Sequence, residues 1–557
     1  MRYLGILFCL FLIVSCARQG TPSGGPKDET PPKFLSSNPD TLSLNVPTDL
    51  NEIRINFDEY ILLKDHTQNI IVSPPFVKNP SFMPVGTPNK YVRIKLNEPL
   101  KENTTYNINF GNAIQDHNEG NKLPYFQYVF STGDYIDSLE ISGKANVPSL
   151  RKQPKNLIVG LYKIDSTYTD SLILTEKPFY IAKAAEDGSF KLNYLHSGKY
   201  QLIAFDDEVQ NMQFDIGKEM FGFRKEPIEL TENQSFNIEL SNQIAAYRVG
   251  KVEQKGYGHL VFRFSGNVDE IDVKPLNHEF TTSKISYKPK SDSLNFWFNP
   301  TIDTISGKSK RIQFTTQYKD KIDTISLVYN SGQKHSLKVE KFGKLTESPS
   351  RKPTFRTNSP FSNLDSAYVR VMKDSIQLNH QFIPNPKKEN EFTLDFPMEL
   401  SSQYKIEFLP NAIRDFFDET NDTLVFEVRT QAKNDLGNLH LKLEGKPNHP
   451  FWLQLLNEKD EVLDEIYTTE SEFDFNFLKT GNYYFKILVD ENANEFWDAG
   501  DFFTKKQAEK SFIYPEMINV RALWDMNETW ILTTPEIPTL PTHENEKSPS
   551  ETEEDSH

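Results

Sequence analysis

"DGSFKLNYLHSGKYQLIAFDDEVQNMQFDIG", Asp187 to Gly217, decides how this chain is built. Apolar residues alternate with polar ones on either side of Gly198, the mark of two antiparallel strands around a short connection. A second copy, "ESEFDFNFLKTGNYYFKILVDENANEFWDAG", runs from Glu470 to Gly500 and aligns without a gap. Phe190 meets Phe473, Leu195 meets Leu478, Gly198 meets Gly481 and Tyr200 meets Tyr483. Further on, Asp207 meets Asp490, Asn211 meets Asn494, Asp215 meets Asp498 and Gly217 meets Gly500. The two copies share the pattern F-x-(apolar)-x-x-L-x-x-G-x-Y.

A looser repeat flanks the first. "YNINFGNAIQDHNEGNKLPYFQYVFSTGD" (Tyr106–Asp134) parallels "YKIEFLPNAIRDFFDETNDTLVFEVRTQ" (Tyr404–Gln431), with Asn-Ala-Ile-x-Asp in both. The first copy closes its loop with Asp116, Gly120 and Asn121, whereas "DFFDETN" in the second lacks the Gly. The first repeat resembles the transthyretin-like or carboxypeptidase-regulatory sandwich, and the second resembles the bacterial Ig-like domain of surface-layer proteins. The resemblance implies an all-β chain of tandem β-sandwich domains. It covers most of the sequence and speaks to fold rather than activity.

Composition agrees. A chain of 557 residues suggests about three to five domains. Forty-one Phe and 23 Tyr favour strands, and 34 Pro cut the chain into short ones. The expected organisation is an Ig-like domain at 34–134, a transthyretin-like sandwich at 137–245 and a β-rich middle domain at 246–346. A second Ig-like domain at 350–432 and a second transthyretin-like sandwich at 434–533 follow. The tail at 534–557 is Pro-rich, then acidic, and reads as disordered. A formal net charge of −16 and the lack of any Lys/Arg block argue against nucleic acid as a partner.

The N-terminus reads "MRYLGILFCLFLIVSC". Arg2 precedes an apolar run too short to span a bilayer, and Ser15 precedes Cys16. "IVSC" (Ile13–Cys16) resembles the bacterial lipoprotein signal, and the alternative is an ordinary signal peptide that contains a Cys. The resemblance implies cleavage after residue 15, acylation of Cys16 and a membrane partner reached through that lipid anchor. Residues 16–33, rich in Gly, Pro and charge, then form a flexible tether. Ala17 lacks the acidic character of a retention signal, so the outer membrane is expected, periplasmic face rather than surface. Cys9 and Cys16 are the two cysteines of the chain, which leaves no internal disulfide after cleavage.

"DENANEFWDAGD", Asp490 to Asp501, has two readings. Asp490, Asn492, Asn494, Asp498 and Asp501 stand at the first, third, fifth, ninth and twelfth positions, the spacing of a calcium loop. Glu495 stands where such a loop needs Gly for its bend, and Asp501 replaces a longer Glu. The other reading is a polar turn, with Phe496 and Trp497 serving as packing. Catalytic patterns do not emerge: His278 has no second His four residues on, and His117 sits alone among polar residues. Asp58–Glu59 and Asp206–Asp207 read as loop charge. The sequence therefore points to a non-enzymatic, lipid-anchored scaffold, an extended rod of sandwiches that engages an envelope protein or glycan. A carbohydrate-related accessory protein or divergent hydrolase is the alternative. No cofactor is expected beyond the calcium reading.

Overall fold

The computed structural model describes residues 28–532 apart from 125, 245, 246, 267 and 303–308. Cys9, Cys16 and the acidic tail lie outside the described residues. Within them the chain is nearly all β, laid out as tandem sandwiches. The α-helix recorded there is a single turn, His66–Asn69.

Strand Glu52–Leu63 shows how the alternation works. Ile53, Ile55, Phe57 and Ile61 are buried while Glu52, Arg54 and Asp58 face water. Burial of each such side chain is worth about 2 kcal/mol. This strand pairs with Phe34–Asn38, Asn89–Lys95 and Ile114–Asp116. Its apolar face packs on the sheet of Ile71–Ser73, Thr105–Asn109 and Gln127–Ser131. The Tyr404 region repeats this arrangement. The Tyr106 hydroxyl accepts the N–H of Lys101 at 2.8 Å, and Tyr404 accepts that of Glu399 at 2.6 Å.

The two units that carry the Asp187–Gly217 and Glu470–Gly500 repeats share one topology. In the first, Tyr180–Lys183, Leu157–Lys163, Gly198–Asp206 and Met220–Phe223 lie side by side, with Ile228–Leu230 also on the third strand. In the second, Val462–Thr468, Phe451–Leu456, Gly481–Val489 and Ser511–Ile513 do the same, with Ile518–Val520 on the third strand. Each faces a three-stranded sheet whose centre, Leu139–Asn146 or Leu436–Glu444, pairs in parallel with Gln234–Glu239 or Asp525–Ile531. Tyr200 and Tyr483 are buried, and their hydroxyls donate to the carbonyls of His196 and Lys479.

Gly198 and Gly481 take φ of +156° and +157°. A Cβ at 481 would meet only the Tyr483 ring, at 3.9 Å, so the obstacle to substitution is the backbone. Gly481→Val should therefore destabilise the last unit by about 1 kcal/mol, read by chemical denaturation.

Two expectations need correction. Strand Val339–Phe342, assigned by sequence to the middle domain, pairs with Thr354–Thr357 and so belongs to the second Ig-like sheet. An alternating strand at a unit boundary carries no mark of which sheet edge it will join. The extended rod also fails, because the chain folds back. Phe502, from the last unit, is fully buried against Phe221 and Phe223 of the second, with ring centroids 5.5 and 5.2 Å away. Gln243 Nε2 donates to the Gly500 carbonyl at 2.6 Å across 257 residues. Arg151 pairs with Asp460 at 2.5 Å and lies 3.5 Å from the Tyr484 ring centroid. Apolar burial between units, absent from a beads-on-a-string rod, fixes this arrangement.

Candidate functional site

The two Asp/Asn loops follow equivalent strands, Gly198–Asp206 and Gly481–Val489, and their geometry repeats. Asp490, fully buried, accepts the N–H of Asn494 at 3.0 Å and that of Glu495 at 2.7 Å. Asp207 does the same for Asn211 and Met212, both at 3.0 Å. Left-handed residues recur in register: Gln210 and Met212 at φ of 60° and 59°, Ala493 and Glu495 at 54° and 62°. The missing Gly at 495 thus does not prevent the bend. A buried carboxylate gathering two N–H groups stabilises a left-handed residue that an unsupported loop would not hold.

A second carboxylate braces each loop. Glu509 accepts from Glu491 at 2.9 Å and Asp498 at 2.7 Å. Glu219 accepts from Val209 at 3.2 Å and Asp215 at 2.8 Å. Burial pushes the Glu219 and Glu509 carboxyls above their ordinary range, and the N–H bonds only partly oppose it. Seven residues separate the aligned position from Glu509, so gapless alignment does not reveal this partner.

The same device closes the Ig-like loops. Asp116 accepts from Glu119, Gly120 and Asn121, and Asp415 from Phe417 and Glu419. Burial disfavours the charged form of Asp116, yet the N–H donors outweigh it and keep its pKa below the usual value. Where the first loop has Gly120 at φ +79°, the second has Asp418 at +65°.

The loops differ at Asp498. Its carboxylate receives Lys290 of the middle unit, Lys506 at 2.8 Å and Asn492 Nδ2 at 2.9 Å. Burial alone would raise its pKa, but the two ammonium groups prevail and hold it at about 2. The stabilisation is therefore present above the ordinary value of 3.8 and is lost as pH falls towards 2. Lys387 of the second Ig-like unit reaches Glu495 at 2.5 Å. The loop is thus a junction of three units.

Of the five residues of the calcium reading, Asn492 and Asn494 direct their amide nitrogens at Asp498, and Asp501 turns away from them. Asn494 Oδ1 accepts the N–H of Phe496 at 2.8 Å, and its Nδ2 faces Asp498. Asp501 turns to the N–H of Phe503 and the hydroxyl of Thr504. Tyr467 donates to Asp490 at 2.7 Å. Among the described residues, no group of three or more His, Cys, Asp or Glu side chains is arranged to hold a metal ion. Trp497 donates to the Glu509 carbonyl at 3.0 Å, and Phe496 lies beneath Lys288 and Lys290. The sequence-predicted acid pairs are likewise engaged: Asp58 accepts the N–H of Lys33, and Asp207 holds its own loop. Lys290, Lys506, Glu509 and Tyr467 escape sequence reasoning. For Phe502 a signal exists, an apolar Phe502–Phe503 pair inside a polar loop.

Among known protein families, one matches the first unit. Residues 28–132 match the bacterial Ig-like domain family. No curated protein matches the chain. Among solved structures it is similar to the major pilin subunit BcpA of Bacillus cereus, at 9% identity over 71% of this chain and 99% of that one, with a TM-score of 0.13. It is also similar to the S-layer protein SbsC, at 10% identity over 89% and 68% of the two chains, TM-score 0.16. A DUF3823 family protein of Parabacteroides merdae matches at 12% identity over 34% and 99%, TM-score 0.13. At these identities and scores the likenesses carry no weight for activity.

Proposed function

We propose that this chain is a non-enzymatic, lipid-anchored envelope protein, a structural or adhesive scaffold of β-sandwich modules. Its anchor is Cys16, and its place is the periplasmic face of the outer membrane. The observation that carries this reading is the use made of the loop carboxylates. Asp116, Asp207, Asp415 and Asp490 each collect backbone N–H groups, and Asp498 joins two lysines. Such groups fix the shape of a scaffold and have few lone pairs left for acid–base chemistry. The apolar docking of Phe502 adds rigidity between distant units. In the same reading, Lys290 and Lys506 supply the positive charge that a calcium ion would bring to the Asp490–Asp501 loop.

Cys16→Ser should move the protein from the membrane to the soluble fraction. Acyl chains contribute about 0.8 kcal/mol per buried CH₂, and among the described residues no helix is long and apolar enough to cross a membrane. A variant that still pellets after a high-salt wash would refute the anchor. Crosslinking in cells should return a stable envelope protein or glycan partner. Turnover of any member of a glycan panel by the purified chain would overturn the non-enzymatic reading.

A further inference from the structure

Between the first two units lies a groove of about 380 Å³, within the size range of small-molecule sites. Its apolar wall comes from both units: Ile70, Val72, Phe76 and Phe82 of the first, Ile181 and Met212 of the second. His66 and Lys177 stand among its polar lining, and none of its lining residues is Asp or Glu. That is unusual in a chain with 78 acidic against 62 basic residues. Lys177 is half-buried and has no ion-pair or hydrogen-bond partner among the described residues.

The groove is also preformed. Ser73 Oγ accepts the N–H of Ile181 at 3.0 Å, which ties the two units together beside it. Met212 is placed by the first Asp loop, because Asp207 holds its N–H while its φ is +59°. The Asp207 loop thus positions an apolar, conformationally adaptable side chain on the wall. A wall fixed before binding lowers the ordering cost of capture.

We propose that this groove binds a single-chain amphiphile with an anionic head, of the fatty-acid class. The alkyl chain lies along Val72, Phe76, Phe82 and Ile181, and the carboxylate faces Lys177. The chemistry argues for an anion: an unpaired ammonium beside an acid-free apolar wall stabilises a negative head and repels a positive one.

The test is calorimetric titration of the full chain with decanoate, decanol and decyltrimethylammonium. Decanoate should saturate a single site, and the cationic analogue should bind at least about tenfold more weakly. Lys177→Glu should weaken decanoate by about tenfold or more, with Lys177→Gln intermediate. Ser81→Trp, at an exposed position on the groove, should abolish binding while leaving the thermal midpoint unchanged. Absence of saturable decanoate binding would overturn the proposal. So would equal affinity for all three heads, or binding that survives Ser81→Trp in the folded protein.

Discussion

Phe502→Ala should undock the last unit from the second. The Phe502 ring is fully buried in a cluster formed by Phe205, Phe214, Phe221 and Phe223. Removing a buried Phe side chain costs about 3–5 kcal/mol when the site cannot collapse. Here the site lies between units, so the loss falls on their association rather than on either fold. What would remain between the two units is polar: Lys505 to Asp170 at 2.9 Å, Gln507 to the Phe223 carbonyl at 2.9 Å, the Gln243 and Ser241 contacts to Gly500, and Arg151 against Asp460 and the Tyr484 ring. The Lys505–Asp170 pair is partly exposed and contributes little, and the neutral hydrogen bonds contribute about 1 kcal/mol each. Small-angle scattering should record a larger radius of gyration, and the loop carrying Phe502 should become sensitive to protease. Unchanged scattering and protease resistance would show that the polar links suffice and that the aromatic plug is dispensable.

The difference between what was legible and what was not follows sequence distance. Phe190, Gly198 and Tyr200 announce a strand pair because the contacts they make are local and their spacing is set by the pleat. The same holds for Tyr106 and Tyr404, whose hydroxyls each close a turn five residues upstream. Lys290 meets Asp498 across 208 residues, and Arg151 meets Asp460 across 309. No periodicity encodes such pairs, since a surface lysine destined for a partner looks like any other. The strand Val339–Phe342 shows an intermediate case: its extended character is local, but the sheet it joins is not. Glu495 shows the limit of residue propensity. A glutamate is a poor choice for a left-handed bend, yet Asp490 beneath it supplies the acceptor that stabilises the conformation.

Asp490→Ala should unfold the last unit at a much lower temperature, and calcium should make no difference. Four of the five tryptophans, Trp452, Trp497, Trp524 and Trp530, lie in that unit, so fluorescence follows it selectively. The substitution removes the acceptor for three donors, the N–H groups of Asn494 and Glu495 and the Tyr467 hydroxyl. Leaving buried donors unpaired costs about 1–3 kcal/mol each, which water entering the loop partly offsets, so a net loss of about 3 kcal/mol is expected. For a unit of this size that corresponds to a fall of about 10 °C or more in its midpoint. Asp490→Asn, which keeps one oxygen on the loop, should lose less. Calcium and chelator should leave the wild-type midpoint where it is, because Asp498 already holds two ammonium groups and Asp501 faces its own turn. A calcium-dependent rise that disappears in Asp490→Ala would mean instead that the ion displaces Lys290 and Lys506 and draws the Asp and Asn oxygens to a common centre. The two cases separate on the wild type alone: a protein-made cation is always present, and a bound one can be removed.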